Sequence, residues 1–175
     1  MRIIFFLVLM ALYSGPALAT ETGCDMRDIS QMINQLGQQT NQLRAARQQH
    51  QLRPDDRLNR AAQRHACDLA RRQVVSHRDA QGLRPRARIE RAGFSACFSA
   101  ENVALGTVSA ANTVGSWQKS PGHARNQQDR RARSMGFGVA RGADGRLYWV
   151  GLYADDCRQR AAGQKRARGF RPFSW

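Results

Sequence analysis

The sequence contains little lysine and little glutamate, although it carries a large net charge. Lys119 and Lys165 are the only lysines, and Glu21, Glu90 and Glu101 are the only glutamates. With 28 Lys+Arg against 13 Asp+Glu, the formal net charge is +15, and nearly all of the positive charge is arginine. A protein with this field attracts polyanions such as nucleic acids, phosphorylated glycans or anionic lipid head groups.

The sequence also lacks an apolar run of about 18 residues, the length that a transmembrane helix needs. Its most apolar segment, residues 3–13, has only 11 residues. This segment follows a positive start and precedes a Ser-Gly-Pro break and a small-residue Ala-Leu-Ala cleavage site at 17–19. The order is typical of a secretory signal peptide over residues 1–19, with an uncleaved membrane anchor as the alternative. After cleavage the protein would be secreted or periplasmic, without a transmembrane segment.

The cysteines form no CxxC motif, which argues against a zinc or thiol-exchange site built from neighbouring cysteines. Cys24, Cys67, Cys97 and Cys157 are an even and widely spaced set, so two disulfides are expected in an oxidising compartment. Four cysteines allow three pairings. We favour Cys67–Cys97, which would join a helix to the segment before Glu101, and Cys24–Cys157, which would join the two ends of the chain.

Two amphipathic helices are predicted in the first half of the mature chain. Residues 28–51 have apolar side chains at helical spacing, with Gly37 as a point where the helix bends or divides. Asp55 or Asp56 can cap the next helix, which has the clearest apolar face in the chain. His65 falls within that face, so we interpret it as a buried, hydrogen-bonded histidine rather than a ligand. The face consists of Leu58, Ala61, Ala62, His65, Ala66, Leu69 and Ala70.

The second half of the chain has a weaker periodicity and ends in a hairpin signature. Helical segments are predicted at residues 86–92 and 107–119. Residues 135–141 and 146–153 are rich in β-forming side chains and flank a Gly-Ala-Asp-Gly turn. Helices first and an antiparallel hairpin last indicate an α+β domain. The helix at 107–119 would point four side chains inward, namely Val108, Ala111, Val114 and Trp117.

The final segment carries basic residues and no acidic ones. Residues 158–175 contain six Lys+Arg, with Phe170, Phe173 and Trp175 interleaved near the end. We interpret residues 156–175 as a basic C-terminal tail that can meet an anionic surface. A solvated tail without a function is the alternative.

Four short segments stand out by their order and spacing. They are Val-Ser-His-Arg-Asp at 75–79, Ala-Glu-Asn-Val-Ala at 100–104, Trp-Gln-Lys-Ser-Pro-Gly-His-Ala-Arg-Asn at 117–126 and Met-Gly-Phe-Gly-Val at 135–139. Together they resemble the bacterial branch of the CAP superfamily, the SCP-like proteins related to cysteine-rich secretory, antigen 5 and pathogenesis-related 1 proteins. The resemblance runs from about residue 32 to residue 153.

The resemblance implies a three-layer α-β-α sandwich. Together with the predicted hairpin, it leads us to expect an antiparallel central sheet within an SCP-like domain at residues 20–155. The CAP superfamily has a central cavity lined by two histidines and two glutamates. The resemblance implies that His77, Glu101 and His123 take three of these positions, whereas Ser120 stands where the family has its remaining glutamate.

Two imidazoles and one carboxylate can hold a divalent cation such as zinc, with water in the fourth position. His77, Glu101 and His123 fall in separate segments of irregular pattern, where the side chains of a cleft usually lie. A metal-bound water there could attack an ester or an amide. The alternative is a hydrogen-bonded polar cluster that steadies the loops. We interpret Ser120 as a turn residue of Ser-Pro-Gly rather than a nucleophile, since no G-x-S-x-G motif is present.

The first function hypothesis is an exported CAP-domain module that binds an anionic or glycan partner in the envelope or outside the cell. The alternative is a metal-assisted hydrolase that uses His77, Glu101 and His123 on a peptide, peptidoglycan-like or phosphodiester substrate. Lipid or sterol carriage, which the wider family suggests, has little support because few large apolar side chains are available. Nucleic-acid binding is not expected, because no nucleic-acid motif accompanies the charge and the protein is exported.

Overall fold

The computed structural model of the protein describes Cys24 and residues 28–161. The predicted signal peptide at 1–19 and residues 162–175 of the predicted tail at 156–175 lie outside the described residues, so both stay predictions. Within the described part of the chain, no helix is both long and apolar enough to cross a membrane. The elements in chain order are α1 (Ile29–Ala45), β1 (Arg53–Pro54), α2 (Asp56–Arg72), α3 (Pro85–Arg91), β2 (Ala96–Leu105), α4 (Ala110–Lys119), α5 (Pro121–Gln128), β3 (Ser134–Arg141) and β4 (Leu147–Asp156).

The strands of residues 28–161 form a four-stranded sheet in the order β1-β3-β4-β2. β4 runs antiparallel to both of its neighbours, whereas β1 pairs in parallel with the start of β3. The prediction of an α+β fold is confirmed, but the expectation of an antiparallel sheet is wrong because the sheet is mixed. The two-residue β1 lies in the connection between α1 and α2, just before α2 begins, and runs along β3 in the same direction.

Helices cover both faces of the sheet, so the central strand β4 is buried along its whole length. Because side chains alternate between the faces of a strand, Tyr148, Val150 and Leu152 pack with α2 and α3 in one core. Trp149 and Tyr153 pack with α1 and α4 in a second core on the opposite face. Burial on both faces explains why this segment is a nearly continuous apolar run.

Helix α2 forms as predicted from its cap and its apolar face. The Asp55 carboxylate accepts a hydrogen bond from the backbone N–H of Arg57 at 2.9 Å. This bond satisfies one of the free donors in the first helical turn. Every residue of the predicted apolar face is buried, including His65. The amphipathic pattern therefore determined which side of α2 packs against the sheet.

Helix α4 begins later than the sequence pattern predicted. Ser109 is its N-cap and accepts a hydrogen bond from the backbone of the first turn, so the helix starts after this residue. Val108 therefore precedes the helix and is 78% exposed, and Ala111 is exposed as well. The prediction that these two side chains point inward is wrong, whereas Val114 and Trp117 are buried as predicted.

Helix α1 passes through Gly37 without interruption, so the predicted division of the helix is wrong, whereas a bend there stays a prediction. The glycine is buried, and a Cβ atom there would lie 3.1 Å from Cε of Met135. Its small size admits a close contact with β3. Glycine at this position therefore serves the packing of α1 against β3. This packing cannot be read from the periodicity of the sequence.

The disulfides join Cys24 to Cys67 and Cys97 to Cys157, with Cα atoms 5.4 and 5.1 Å apart. The favoured pairing, Cys67–Cys97 with Cys24–Cys157, is therefore wrong. The antiparallel register brings the start of β2 beside the end of β4, and Cys97 and Cys157 lie at these two ends. The proximity of these two cysteines could not be predicted, because residues 96–105 have no strand pattern in the sequence.

Helix α2 approaches strand β3 so closely that two positions of the strand have room only for glycine. A Cβ atom on Gly136 would lie 2.4 Å from the carbonyl carbon of Leu58. A Cβ atom on Gly138 would lie 2.4 Å from the carbonyl carbon of Ala62. These distances are far below van der Waals contact, so the Gly-x-Gly pattern of β3 is a packing requirement.

The same helix covers the outer edge of β3 where β1 ends. Asn59 Oδ1 accepts a hydrogen bond from the backbone N–H of Phe137 at 2.9 Å. Gln63 Oε1 accepts from the N–H of Val139 at 3.0 Å, and Gln63 Nε2 donates to the carbonyl of Val139 at 2.8 Å. Side chains of α2 thereby satisfy a strand edge that could otherwise pair with another chain.

The substitution Gly138→Ala is expected to lower the free energy of unfolding by about 3 kcal/mol, because the added methyl group forces α2 away from β3. Gly115→Ala in α4 is the matched control, since no atom lies within 4 Å of its Cβ position. That change is expected to be neutral or stabilising by up to about 1 kcal/mol. Urea denaturation measures both, and an unchanged stability of Gly138→Ala would contradict the close approach.

Candidate functional site

Glu101 is the centre of a buried polar cluster on the edge strand β2. It lies opposite Leu152 of β4, so its side chain faces the layer formed by α2 and α3. The side chain is only 2% exposed. A carboxylate in this position needs donors and a positive charge, because an unpaired buried charge is strongly unfavourable.

His77 is the first partner of Glu101. It lies in the loop between α2 and α3, and its Nδ1 is 2.8 Å from Glu101 Oε1. The hydrogen bond to Glu101 raises the pKa of His77, because it favours the charged imidazolium. The His77 side chain is 58% exposed, so the ring that the buried carboxylate orients is open to solvent.

Arg88 of α3 is the second partner, and no sequence motif predicted it. Its Nη2 lies 2.5 Å from Glu101 Oε2. Its Nη1 donates to the backbone carbonyl oxygens of His77 at 3.0 Å and Leu83 at 2.6 Å. One buried guanidinium therefore joins α3, the loop before it and β2, which its several directed donors allow.

His65, predicted to be a buried structural histidine, borders the same cluster. Its Nε2 lies 3.0 Å from the carbonyl oxygen of Ser76 and 3.8 Å from Glu101 Oε1. Burial lowers the pKa of His65, because the interior disfavours the charged ring. The hydrogen bond to Ser76 fixes the residue next to His77, so His65 helps to hold the loop.

Helix α5 brings His123 to the outer edge of β2. Asn102 Nδ2 donates to the carbonyl oxygen of His123 at 3.0 Å. Asn126 Nδ2 donates to the carbonyl oxygen of Glu101 at 3.1 Å and to Asn102 Oδ1 at 2.9 Å. Burial and the charge of His77 lower the pKa of His123. The ring of His123 forms no hydrogen bond with the Glu101 carboxylate, so it lies near the cluster without joining it.

Ser120 lies at the junction of α4 and α5, as the C-cap of one helix and the N-cap of the other. Its side chain forms no hydrogen bond with Glu101 or with the His123 ring, and its position is that of a turn residue. The expectation that all three cavity residues lie in irregular segments is wrong for Glu101, which is on β2, and for His123, which is on α5. His77 lies in a loop as expected.

The cluster in this arrangement does not fit a divalent cation. Both oxygens of Glu101 are engaged, one by His77 and the other by Arg88. Among Cys24 and residues 28–161, no group of three or more His, Cys, Asp or Glu side chains is arranged to hold a metal ion. Arg88 also places a positive charge where a cation would bind, and like charges repel. The cation at His77, Glu101 and His123 stays a prediction without supporting geometry.

The model of the CAP family, described as the cysteine-rich secretory protein family, matches residues 38–153. The chain belongs to the CAP family. The match contains the four segments that carry the resemblance and every residue of the Glu101 cluster. Among curated proteins, no sequence matches the chain significantly.

Solved structures of bacterial proteins have a similar fold. An outer surface protein of Borrelia burgdorferi is 23% identical with a TM-score of 0.64, and the alignment covers 69% of this CAP chain and 90% of that chain. An extracellular protein containing an SCP domain from Bacillus anthracis is 19% identical with a TM-score of 0.67, covering 73% and 41%. A cysteine-rich secretory protein from Staphylococcus aureus is 17% identical with a TM-score of 0.62, covering 75% and 40%. The CAP chain thus spans about two fifths of the last two proteins, and likeness at this identity establishes the fold alone.

The CAP motifs pointed to Glu101 and His77 but not to Arg88 and His65. The sequence signal for His65 was its place on the apolar face of α2, and this signal indicated burial without naming a partner. Arg88 had a weaker signal, a basic residue next to Ile89 in a short helix whose inward face the sequence did not define. Only the packing of α2 and α3 against β2 brings both residues to the carboxylate.

The substitution Glu101→Gln is expected to lower the pKa of His77 toward the value of about 6.5 for a free histidine. In the unchanged protein the folded-state pKa is raised, so this interaction stabilises the fold fully below the unfolded-state pKa and is lost as pH rises through the folded-state pKa. NMR titration of the His77 ring measures the change. Glu90→Gln on the exposed side of α3 is the control, and an equal effect of both variants would contradict the assignment.

The substitution Arg88→Met is expected to destabilise the protein by about 3–5 kcal/mol, because it leaves the buried Glu101 carboxylate without its cation. The double variant Arg88→Met/Glu101→Gln should be more stable than the sum of the single changes predicts, by at least about 1 kcal/mol. Arg86→Met is the control, since its pair with Glu90 is exposed and contributes less than about 1 kcal/mol. Strictly additive losses in urea denaturation would show that Arg88 and Glu101 do not interact.

Proposed function

We propose that the protein is an exported CAP-domain binding module for an anionic glycan of the cell envelope or of the cell's surroundings. The observation that carries this proposal is the outer side of α2, where Arg60, Arg64 and Arg71 are exposed. These three arginines, which we call the α2 arginine face, form no ion pair with another residue that the structure describes.

Helical geometry places the three residues of this face on one side, since their spacings correspond to about one and two turns. The remaining arginines of the helix are neutralised. Arg57 pairs with Asp55 at 2.7 Å and with Asp156 at 2.9 Å. Arg72 pairs with Asp68 at 2.7 Å. Because the α2 arginine face keeps its charge, it can attract a polyanion from solution.

The Glu101 cluster supports binding better than catalysis. Its carboxylate is committed to His77 and Arg88, which leaves neither oxygen free to act on a substrate. The same contacts hold the loop between α2 and α3 in place, next to the arginine face. A surface that is fixed before the ligand arrives binds at a lower cost in conformational entropy.

Metal-assisted hydrolysis is the alternative function, and one observation favours it. His77 presents an exposed ring that a buried carboxylate orients, as general bases in enzymes often do. A cation would additionally need a third ligand beside His77 and Glu101, and the described residues do not arrange one. Binding by the α2 arginine face therefore has the stronger support.

Export is the second part of the proposal. A signal peptide is predicted at residues 1–19, and the two disulfides suit an oxidising compartment. The similar proteins of Borrelia burgdorferi and Bacillus anthracis are described as an outer surface protein and an extracellular protein. These observations support a location outside the cytoplasm, where envelope glycans are available.

The mature protein is expected to bind fluorescein-labelled dextran sulfate but not neutral dextran. The affinity should fall steeply between about 50 and 500 mM salt, because salt screens exposed charges. The variant Arg60→Gln/Arg64→Gln/Arg71→Gln should bind at least tenfold more weakly at low salt. Fluorescence anisotropy measures each affinity, and binding that does not change with salt would contradict the electrostatic basis.

A matched triple variant separates the α2 arginine face from net charge. Arg47→Gln/Arg125→Gln/Arg130→Gln removes the same number of charges from exposed positions on or next to α1 and α5. These positions belong to the opposite helical layer, so this variant should lose less than threefold in affinity. An equal loss in the two triple variants would assign binding to net charge alone and overturn the proposed face.

A further inference from the structure

We infer that a cavity of about 890 Å³ beside α2 binds a sugar unit that carries a carboxylate or phosphate group. This inference rests on the proposed function and gives the anionic ligand a defined place. Residues of α2, of the loop at 79–83 and of α3 line the cavity. We call it the arginine pocket, after Arg64 and Arg71 of α2 and Arg88 and Arg91 of α3.

Of the four arginines among the described lining residues, three are available for a ligand. Arg88 is engaged by Glu101 at 2.5 Å. Arg64, Arg71 and Arg91 are exposed and form neither an ion pair nor a side-chain hydrogen bond with residues in the described part of the chain. These three residues therefore line the pocket, and no other described residue binds their guanidinium groups.

The two carboxylates among the described lining residues do not offset this charge, because Asp68 is already paired with Arg72 and Asp79 alone is outnumbered by the three arginines. Asp68 Oδ2 accepts a hydrogen bond from Arg72 at 2.7 Å. Asp79 Oδ1 accepts from the backbone N–H groups of Gln81 at 3.0 Å and Leu83 at 2.8 Å, and so shapes the loop. The pocket thus keeps a positive potential that selects an anionic group.

The size and lining of the pocket favour a saccharide. Its volume falls within the range of about 300–1,000 Å³ that is usual for small-molecule sites. Guanidinium groups bind carboxylate and phosphate through paired hydrogen bonds, and the Gln81 amide can bond to sugar hydroxyls. No Phe, Tyr or Trp side chain is among the described lining residues, and the ring of His65 is buried, so a nucleobase has no exposed aromatic ring to stack on. Ala61 and Leu83 are the only aliphatic side chains among the described lining residues, too few to enclose a lipid chain.

The Glu101 cluster holds one wall of this pocket in position. Arg88 donates to the carbonyl oxygens of His77 and Leu83, so α3 holds the loop at 79–83 at its end and two residues before its start. The backbone N–H of Asp79 also donates to the carbonyl of Leu83 at 3.2 Å. The pocket is therefore shaped before a ligand binds, which reduces the entropy lost on binding.

Titration of the mature protein with trigalacturonic acid tests the inference, with neutral maltotriose and inorganic phosphate as comparison ligands. Isothermal calorimetry is expected to show one saturable site for trigalacturonic acid and at least tenfold weaker binding of both comparison ligands. A phosphorylated hexose, mannose 6-phosphate, distinguishes a phosphate-bearing sugar from a carboxylate-bearing one. Binding of maltotriose as tightly as trigalacturonic acid would overturn the requirement for an acidic group.

Two double variants with the same change in charge locate the site. Arg64→Gln/Arg91→Gln removes two arginines of the pocket and should weaken trigalacturonic acid binding at least tenfold. Arg60→Gln/Arg84→Gln removes two exposed arginines that do not line the pocket and should weaken it less than threefold. Equal losses would place the ligand elsewhere and overturn the inference.

The polymer and the trisaccharide separate the two proposals. If the protein binds dextran sulfate but neither acidic sugar, the inference that the arginine pocket binds a sugar is wrong. The proposal that the α2 arginine face binds polyanions is then unaffected. If the protein binds trigalacturonic acid but shows no salt-dependent binding of dextran sulfate, the proposal for the α2 arginine face is wrong. The inference about the arginine pocket is then unaffected. Circular dichroism of each variant confirms that a loss of binding does not come from unfolding.

Discussion

The Glu101 carboxylate binds Arg88 through one oxygen and His77 through the other while it is almost completely buried. This contact joins β2, α3 and the loop between α2 and α3, three segments that are separate along the chain. Because a buried charge without its partner costs several kcal/mol, the loop cannot leave its place without a large loss of stability. The orientation of His77 and one wall of the arginine pocket both depend on this contact.

Arginine serves two different purposes in this CAP domain. Arg44 and Arg88 are buried, and their N–H groups form hydrogen bonds that join separate segments of the fold. Arg44, for example, donates to the carbonyl oxygens of His50 and Gln127, each at 2.9 Å. The guanidinium group suits this role because it forms several hydrogen bonds in fixed directions. The arginines of the α2 arginine face are exposed instead, and their positive charges face solvent. The net charge of the protein therefore overstates the number of arginines that can bind a ligand. The structure shows which arginines are exposed and without an acidic partner among the described residues.

Helix α2 and the β3–β4 hairpin could be predicted because their signals are local. A cap at Asp55, a strong apolar periodicity and a glycine-containing turn each act within a few residues. β2 could not be predicted, because the polar residues Ser99, Glu101 and Asn102 interrupt any apolar alternation along it. The disulfide pairing was missed for the same reason, since it follows from the register between β2 and β4.

The sequence by itself determined the charge, the packed face of α2, the CAP motifs and the assignment of Glu101 and His77 to one site. The tertiary structure alone decided that Arg88 and His65 complete the Glu101 cluster and that the His123 ring stays outside it. It also decided which arginines are left without an acidic neighbour. The physical reason is distance: patterns along a chain define the faces of single elements, whereas the partner of a buried charge depends on how α2, α3 and α5 pack around β2.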